Sequence, residues 1–450
     1  MAASSIAPSV SMRPGPRRPR LGPGAKAASI AGPSETVVRR LSGGAPWQDR
    51  RMPRTIDLAE RRARLARRHR LLPELRTDDV AAIADGVVAL HSTDPATVYL
   101  SAMLRMERPS VEAVEQALYV DRTVIRHHAM RRTLWVATPP VVRQMHAAAT
   151  RNLVGPEHRR TARLLAENGI DDPDAWLADA RDQVLAALHE HGPMTARALG
   201  QKVPALTHKI VMAPGKKYSA TVSAHTRVLL QLGFEGRILR TEPAGTWING
   251  AYTYAAADSW LDGGLGDLDP REAARDLARR WLHAFGPGST TDLQWWMGWT
   301  AATTKKALAD CGAVEVRVDG APAWVAPGDE EPVAGVEPWV ALLPGLDPTT
   351  MGWKERAWYL PDACSGTFDR MGNAGPTLWV DGEVVGGWVQ SADGEIRMRA
   401  HVELPPSRRR ELRERADELA KLLGDTRFTV RFPSTLSAVL FRGVGDDDLL

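Results

Sequence analysis

The chain has 450 residues, 44% of them hydrophobic and 25% charged. That is the composition of a folded soluble protein with room for two to four domains, and it excludes a wholly disordered or fibrous chain. Lys and Arg number 58 against 54 Asp and Glu, a formal charge of +4, so a polyanionic partner is permitted without being demanded. Cys311 and Cys364 are far apart in sequence and fit no metal-ligand spacing, which disfavours a disulfide framework or a zinc site and fits a reduced chain. No run approaches the roughly 18 apolar residues of a membrane span, and the N-terminus lacks a signal peptide's apolar core. The expected location is cytoplasmic.

Residues 1–54 are rich in Ala, Pro, Ser, Gly and Arg and are expected to form a disordered tail, because such a segment buries too little apolar surface to offset its ordering entropy. Met52, at its end, is a candidate working start. A basic tail that touches DNA is the alternative. Residues 57–70 predict a basic helix with Leu58, Leu65 and Leu72 on a narrow seam. Its arginines form either the solvated face of a docking helix or a phosphate-contacting face.

A helix over 78–90, with Val80, Ile83, Ala84 and Val87 on one face, delivers the polar triplet His91-Ser92-Thr93. Asp94-Pro95 then opens the next helix, over 95–106, since Asp caps orphan N–H groups and Pro lacks one. A third helix runs over 110–121. Two short strands follow, 124–128 and 133–136, around the basic turn Met130-Arg131-Arg132. Three helices and a hairpin make the winged-helix pattern. On spacing alone, His91 and Thr93 read first as helix caps.

The pattern recurs twice. Helices over 175–190, 195–202 and 223–232 precede two strand-like runs within 238–254. Helices over 270–284, 290–299 and 301–309 precede strands around Asp319-Gly320, a hairpin turn signal. His191-Gly192-Pro193-Met194-Thr195 aligns with Phe285-Gly286-Pro287-Gly288-Ser289, an internal repeat. The loop Ala213-Pro214-Gly215-Lys216-Lys217-Tyr218-Ser219 is basic but lacks P-loop spacing. Trp295-Trp296-Met297-Gly298-Trp299 reads as core rather than a base-stacking shelf. From about 337 onward, short runs including 340–343, 377–380, 384–389, 396–402 and 428–432 read as strands, interrupted by one helix over 406–422. They suggest a small closing β-barrel.

The fold expected is therefore α+β, three tandem winged-helix units and a C-terminal β-barrel. The divisions fall at 1–54 for the tail, 55–170, 171–262 and 263–335 for the three units, and 336–450 for the barrel. No Walker loop, Rossmann fingerprint, nucleophile elbow or metal cluster is present, so no cofactor is expected.

Asp-Pro after a polar triplet, Arg131-Arg132-Thr133-Leu134-Trp135, Gly286-Pro287, and Leu342-Leu343-Pro344-Gly345-Leu346-Asp347 leading to Trp353-Lys354-Glu355-Arg356 resemble, in order and spacing, the AlkZ/YcaQ-type winged-helix DNA glycosylases. The resemblance covers roughly residues 55–450. It implies a C-shaped protein around duplex DNA, a monomer, that hydrolyses the N-glycosidic bond of alkylated purines. The family's Gln-x-Gln or Gln-x-Asp motif falls on His91-Ser92-Thr93, which departs from it at both outer positions. An alkylated purine is already cationic and leaves without a general acid, so the site must mainly place a water and stabilise an oxocarbenium-like sugar. His91 is the candidate to accept the water's proton or bond the sugar, and Thr93 the candidate to orient the water. Asp94 either stabilises positive charge or serves only as a cap. Arg126, Arg131, Arg132, Lys216, Lys217, Lys354 and Arg356 are the candidate contacts to double-stranded DNA. The alternative is a non-catalytic winged-helix DNA-binding or regulatory protein.

Overall fold

The computed structural model describes residues 52–216 and 219–443. Of the tail expected over 1–54, residues 1–51 lie outside the described residues, whereas Arg54 bonds Glu60 and accepts the Arg317 amide, and residues from Pro53 onward form one structural unit. Its first helix, Leu58–Arg68, is capped by Asp57. The helix's basic character is spent inside the protein. Arg64 is buried against Glu60 at 2.8 Å and Asp329 at 3.1 Å, and Arg68 bonds Asp329 at 2.6 Å. Arg61 lies 4.0 Å over the Trp358 ring, and only Arg67 of this set is exposed. This is a docking helix, because acceptors from the 329–335 segment meet its arginines.

Three helices follow, Val80–Gly86, Pro95–Met103 and Val111–Glu115, the last continued by a π-helical turn over Gln116–Val120. Strand β1 (Leu90–His91) lies between the first two, and β2 (Ile125–His128) and β3 (Leu134–Ala137) form the hairpin after the third. The 78–90 helix expected from periodicity ends early, at Gly86. Val88 takes φ +64, a conformation that strains a β-branched residue, and turns the chain so that His91 sits on a strand rather than at a helix end.

The second set has helices Pro173–His191, Ala196–Lys202 and His225–Phe234, with β4 (Met194–Thr195) and the hairpin β5 (Lys209–Met212) and β6 (Ala220–Ser223) between them. It closes on β7 (Ile238–Pro243) and β8 (Tyr252–Ala256). The first and second hairpins are not separate. They join edge to edge at the pair Arg126↔Arg240, giving one antiparallel sheet of order β1-β3-β2-β7-β8-β4. The third set is helices Pro270–Phe285, Thr290–Met297 and Ala301–Asp310, then hairpin β9 (Val314–Val318) and β10 (Ala321–Val325). Asp319 and Gly320 both have positive φ at its tip, the conformation the turn requires.

Strands β11 (Val340–Leu343), β12 (Thr377–Val380), β13 (Glu383–Gln390) and β14 (Ile396–Ala400) form an antiparallel sheet in sequential order. The expected barrel is corrected here: among the described residues the sheet is open. Its β11 edge packs against the Pro406–Leu423 helix, a way of covering an edge without closure. Residues 428–432 form no strand.

The C-terminal sheet is fastened to the N-terminal helices through one buried ion pair. Arg105 and Asp347 meet at 2.8 Å with both side chains fully enclosed. Arg105 also donates to the His69 and Ser101 carbonyls and to Thr349 Oγ1, while Asp347 accepts from Ser101 Oγ and the Thr349 amide. Burial works against ionised Asp347, yet Arg105 and these donors hold its carboxyl below the usual range. Removing one partner strands the other charge, so Arg105→Met should cost about 3–5 kcal/mol, and Arg105→Met with Asp347→Leu distinctly less. Urea denaturation of the two variants checks this; equal losses would show that the pair's charges are not what matters.

Candidate active site and DNA interface

His91 is carried on β1, paired with Trp135 of β3. Its ring packs on the Trp135 indole at 4.6 Å between centroids, and Trp135 packs in turn on Trp296 at 5.3 Å. His91 is 4% exposed. Its Nδ1 accepts from the Thr93 amide at 3.3 Å, so the neutral ring carries its proton on Nε2. Burial, with Arg131 nearby, pushes its pKa down to about 3. Ser92 points the other way: its Oγ accepts from Arg126 Nε at 2.8 Å.

Thr93 is half-buried, and its Oγ1 is enclosed with no hydrogen-bond partner among the described residues. Asp94 both caps the Pro95–Met103 helix, through Oδ1 to the Ala96 amide at 3.2 Å, and accepts the Arg431 amide on Oδ2 at 3.2 Å. Burial raises its pKa against the lowering effect of those two amides. The C-terminal segment thus reaches the cap that follows the triplet.

Arg126 does not stand where a DNA contact needs it. It is 2% exposed, on the Ser92 side of β2, donating also to Tyr119 Oη at 3.2 Å and the Thr241 carbonyl at 3.3 Å. Its guanidinium lies 4.4 Å from the Tyr252 ring centroid, and Nη2 has no partner. Neutral oxygens and π faces surround it.

Arg131 and Arg132 are consecutive positive-φ residues at the β2–β3 tip. Arg131 does not project freely. It stacks on Trp295 at 4.2 Å, across the Gly298 position where a Cβ would come within 3.2 Å of Arg131 Cγ. Burial, then Arg356, lowers its pKa to about 10. Arg356 lies 5.4 Å from the same Trp295 ring and 4.2 Å from Phe368. The result is a cation–aromatic stack running Arg131, Trp295, Arg356, Phe368 beside His91. None of Arg131, Arg132, Lys354 and Arg356 is ion-paired among the described residues.

Lys354 is exposed in a loop pinned by buried Asp292, whose Oδ1 accepts the Lys354 and Glu355 amides at 2.9 Å. Lys216 lies exposed in the turn after β5, on a two-stranded ladder separate from the sheet of the triplet; Lys217 lies outside the described residues. The structure therefore sets Arg131 near His91, joins Arg131 to Arg356 across the Trp295 ring, and leaves Arg126 on the buried Ser92 side. Trp295 was missed as a functional residue. Trp296 and Trp299 are core as expected, but adjacent helical residues point about 100° apart, so Trp295 and Trp296 could not both face inward.

Among the described residues, no group of three or more His, Cys, Asp or Glu is placed to hold a metal ion, and no helix is long and apolar enough to cross a membrane. Residues 84–422 match the family model described as DNA glycosylase AlkZ-like, and the chain belongs to that family of DNA repair glycosylases. The fold is similar to that of Streptomyces sahachiroi DNA glycosylase AlkZ, with 20% identity, a TM-score of 0.61, and coverage of 84% of this chain and all of that one. No curated protein matches.

Burial also depresses His69 to about 3 and His146 to about 4, and holds His127 and His128 well below their usual value. A histidine whose folded pKa lies below its unfolded 6.5 takes up its proton mainly on unfolding. Stability is then full above pH 6.5 and lost as pH falls toward the folded values, by about 1.4 kcal/mol per pH unit per histidine. The unfolding free energy should drop steeply between pH 6.5 and 5; a flat profile there would contradict neutral burial of these rings.

Proposed function

We propose that this chain is a monofunctional DNA glycosylase that hydrolyses the N-glycosidic bond of alkylated purines in duplex DNA, using the Thr93–Asp94 edge of the triplet. The observation that supports it most is the Thr93 hydroxyl: an enclosed, unpartnered donor at a site is a place a water or substrate atom fills. The three helix–helix–helix–hairpin sets act as winged helices in this reading, with Arg131, Arg132, Lys354 and Arg356 receiving the phosphates.

The chemistry asks little of the protein. The C1′–N bond of a cationic N7- or N3-alkylated purine breaks with its electron pair leaving on the base, which departs neutral. A water oxygen held by Thr93 bonds to C1′, and its proton is lost to solvent or to the neighbouring carboxylate. Asp94 supplies negative charge to the oxocarbenium-like sugar. A histidine with a pKa near 3 is a poor base at neutral pH, so His91 acts by position: its ring is wedged on Trp135 and its Nδ1 fixes the Thr93 amide. Arg126 is likewise a positioning residue, holding Ser92 from behind.

A second reading, a DNA-binding protein without catalysis, is favoured by the same enclosure of His91. Single-turnover excision of N7-methylguanine from duplex DNA separates them. Asn caps helices as well as Asp, so Asp94→Asn should keep the melting temperature and lower excision by roughly 10²-fold, on the scale of one lost electrostatic contact. Thr93→Val removes a buried unsatisfied hydroxyl, so it should be neutral or stabilising while also lowering excision. Salt-dependent DNA binding by the native chain with no excision of this or other alkylated purines would leave the second reading standing. Arg132→Ala should weaken binding to every sequence and shallow the salt slope by about one; an unchanged slope would remove the hairpin tip from the interface.

A further inference from the structure

We propose that the cavity beside the His146–Thr150 turn is a binding site for a small phosphomonoester. None of the residues assigned above to the triplet or to DNA lines it, so the inference stands apart from the glycosylase reading. The cavity measures about 230 Å³ and lies where that turn, the Pro173–His191 helix, the turn 235–237 and the loop 262–268 meet. His146 is 5% exposed and stands in the cavity wall. Its Nδ1 lies 3.3 Å from His127 Nε2, and its Nε2 has no partner among the described residues. His127 Nδ1 is enclosed and also without one. Burial keeps both rings neutral, and a buried N–H without an acceptor is the rarer arrangement. The proton between the rings therefore belongs to His127 Nε2, and His146 accepts it on Nδ1. The His146 ring proton then sits on Nε2. A Cβ on Gly236 would come within 2.9 Å of that Nε2 and 2.8 Å of Leu265 Cδ1, and Gly236 has φ +70. Glycine there keeps the floor open beneath the donor.

The loop 262–268 supplies a second wall. Gly263, Gly264 and Gly266 take φ +68, +58 and +64. The loop is braced by two arginines. Arg143 donates to the Asp262 and Gly264 carbonyls at 2.7 and 3.1 Å, and Arg151 donates to the Leu268 carbonyl at 3.2 Å and pairs with Asp267. By contrast, the Leu265 and Gly266 amides have no acceptor among the described residues. Amides left open in a run of left-handed turns make a concavity that suits an anion. Burial lowers the His146 pKa, and Arg151 lowers it further than Asp267 raises it, so the local field at the ring is positive.

Arg237 stands exposed at the rim, and its guanidinium has no partner among the described residues. The two carboxylates in the wall are already engaged. Glu235 accepts from Arg181 at 2.7 Å and from Gln231 Nε2 at 3.2 Å, and Asp258 lies 2.9 Å from His189 Nε2. The open groups are therefore donors: His146 Nε2, two amides and a guanidinium. They match a ligand group that only accepts, and the free cation favours a charged one. His189 and Asp258 remain for hydroxyl groups. The volume lies below that of drug-sized pockets, which limits the body of the ligand to a few heavy atoms. A pentose phosphate is of this class.

The test is equilibrium dialysis of the full chain against labelled ribose 5-phosphate, with unlabelled inorganic phosphate, ribose and duplex DNA as competitors at matched ionic strength. Native protein should bind one equivalent. Phosphate should compete more weakly than unlabelled ribose 5-phosphate, and ribose and the duplex should not compete. Arg237→Gln, a surface change, should keep the melting temperature and weaken binding roughly tenfold, the scale of one lost charged hydrogen bond. His146→Phe keeps a ring in the wall and removes the donor, and should weaken binding to a similar extent. No binding by the native chain, or binding that survives Arg237→Gln, would overturn the site. Competition by ribose as strong as by its phosphate would overturn the anion assignment, and by inorganic phosphate as strong would overturn the monoester. Displacement by the duplex would give the site to a DNA phosphate and overturn the small ligand. Failure of the chain to excise any base would leave this site standing.

Discussion

The Arg105–Asp347 pair is the constraint on which the architecture depends. Its two residues lie 242 positions apart in the chain, and the loop that carries Asp347 also receives Thr97 Oγ1 on the Gly345 carbonyl at 2.6 Å. That loop is thereby locked along the Pro95–Met103 helix, whose first turn is capped by Asp94. His69 extends the network, with one ring nitrogen 2.9 Å from Thr349 Oγ1 and the other 3.0 Å from the Ala284 carbonyl. Four segments distant in sequence meet on a few buried polar atoms. In a low dielectric such a network has few alternative arrangements, because any slip leaves a charge or a donor unpaired.

The same anchoring explains how one surface collects cations from separate loops. Arg131 comes from the β2–β3 tip, Arg356 from the loop pinned by Asp292, and Trp295 from the Thr290–Met297 helix between them. Two guanidinium groups face one indole, so their mutual repulsion is partly offset by its π faces. The arrangement holds positive charge in place without neutralising it, which is what a phosphate-binding face requires. Arg64 and Arg105 are the opposite case: their charge is matched internally and adds nothing to the outside field.

What could be read from the sequence was what local chemistry decides. Asp94-Pro95 and Asp319-Gly320 mark a cap and a turn because their conformational limits act within a few residues. The open C-terminal sheet was not legible, since covering β11 with a helix and closing a barrel differ only in long-range pairing. Nor was the junction of β2 with β7. Arg126 and Arg240 face each other there, and nothing in either strand's alternation marks an arginine as buried. The bend at Val88 escaped for a related reason: a β-branched residue at φ +64 is held by its surroundings against its own preference. At the candidate site, the triplet's place in the chain could be read, but its environment could not. Whether His91 titrates near neutrality depends on Trp135 and Trp296, far along the sequence.

That environment shifts the chemical weight within the triplet. A solvent-facing histidine would be an available base, but this one is enclosed, neutral and engaged through Nδ1. The carboxyl group next to it with a fixed orientation is Asp94, held by one amide from its own helix and one from the C-terminal segment. Because two backbone donors orient the carboxylate, its charge is preorganised rather than free to follow solvent, the property that makes an electrostatic contribution large when positive charge develops on a sugar. The cap and the electrostatic role are therefore compatible in one residue, since the hydrogen bonds that make Asp94 a cap are the ones that aim it.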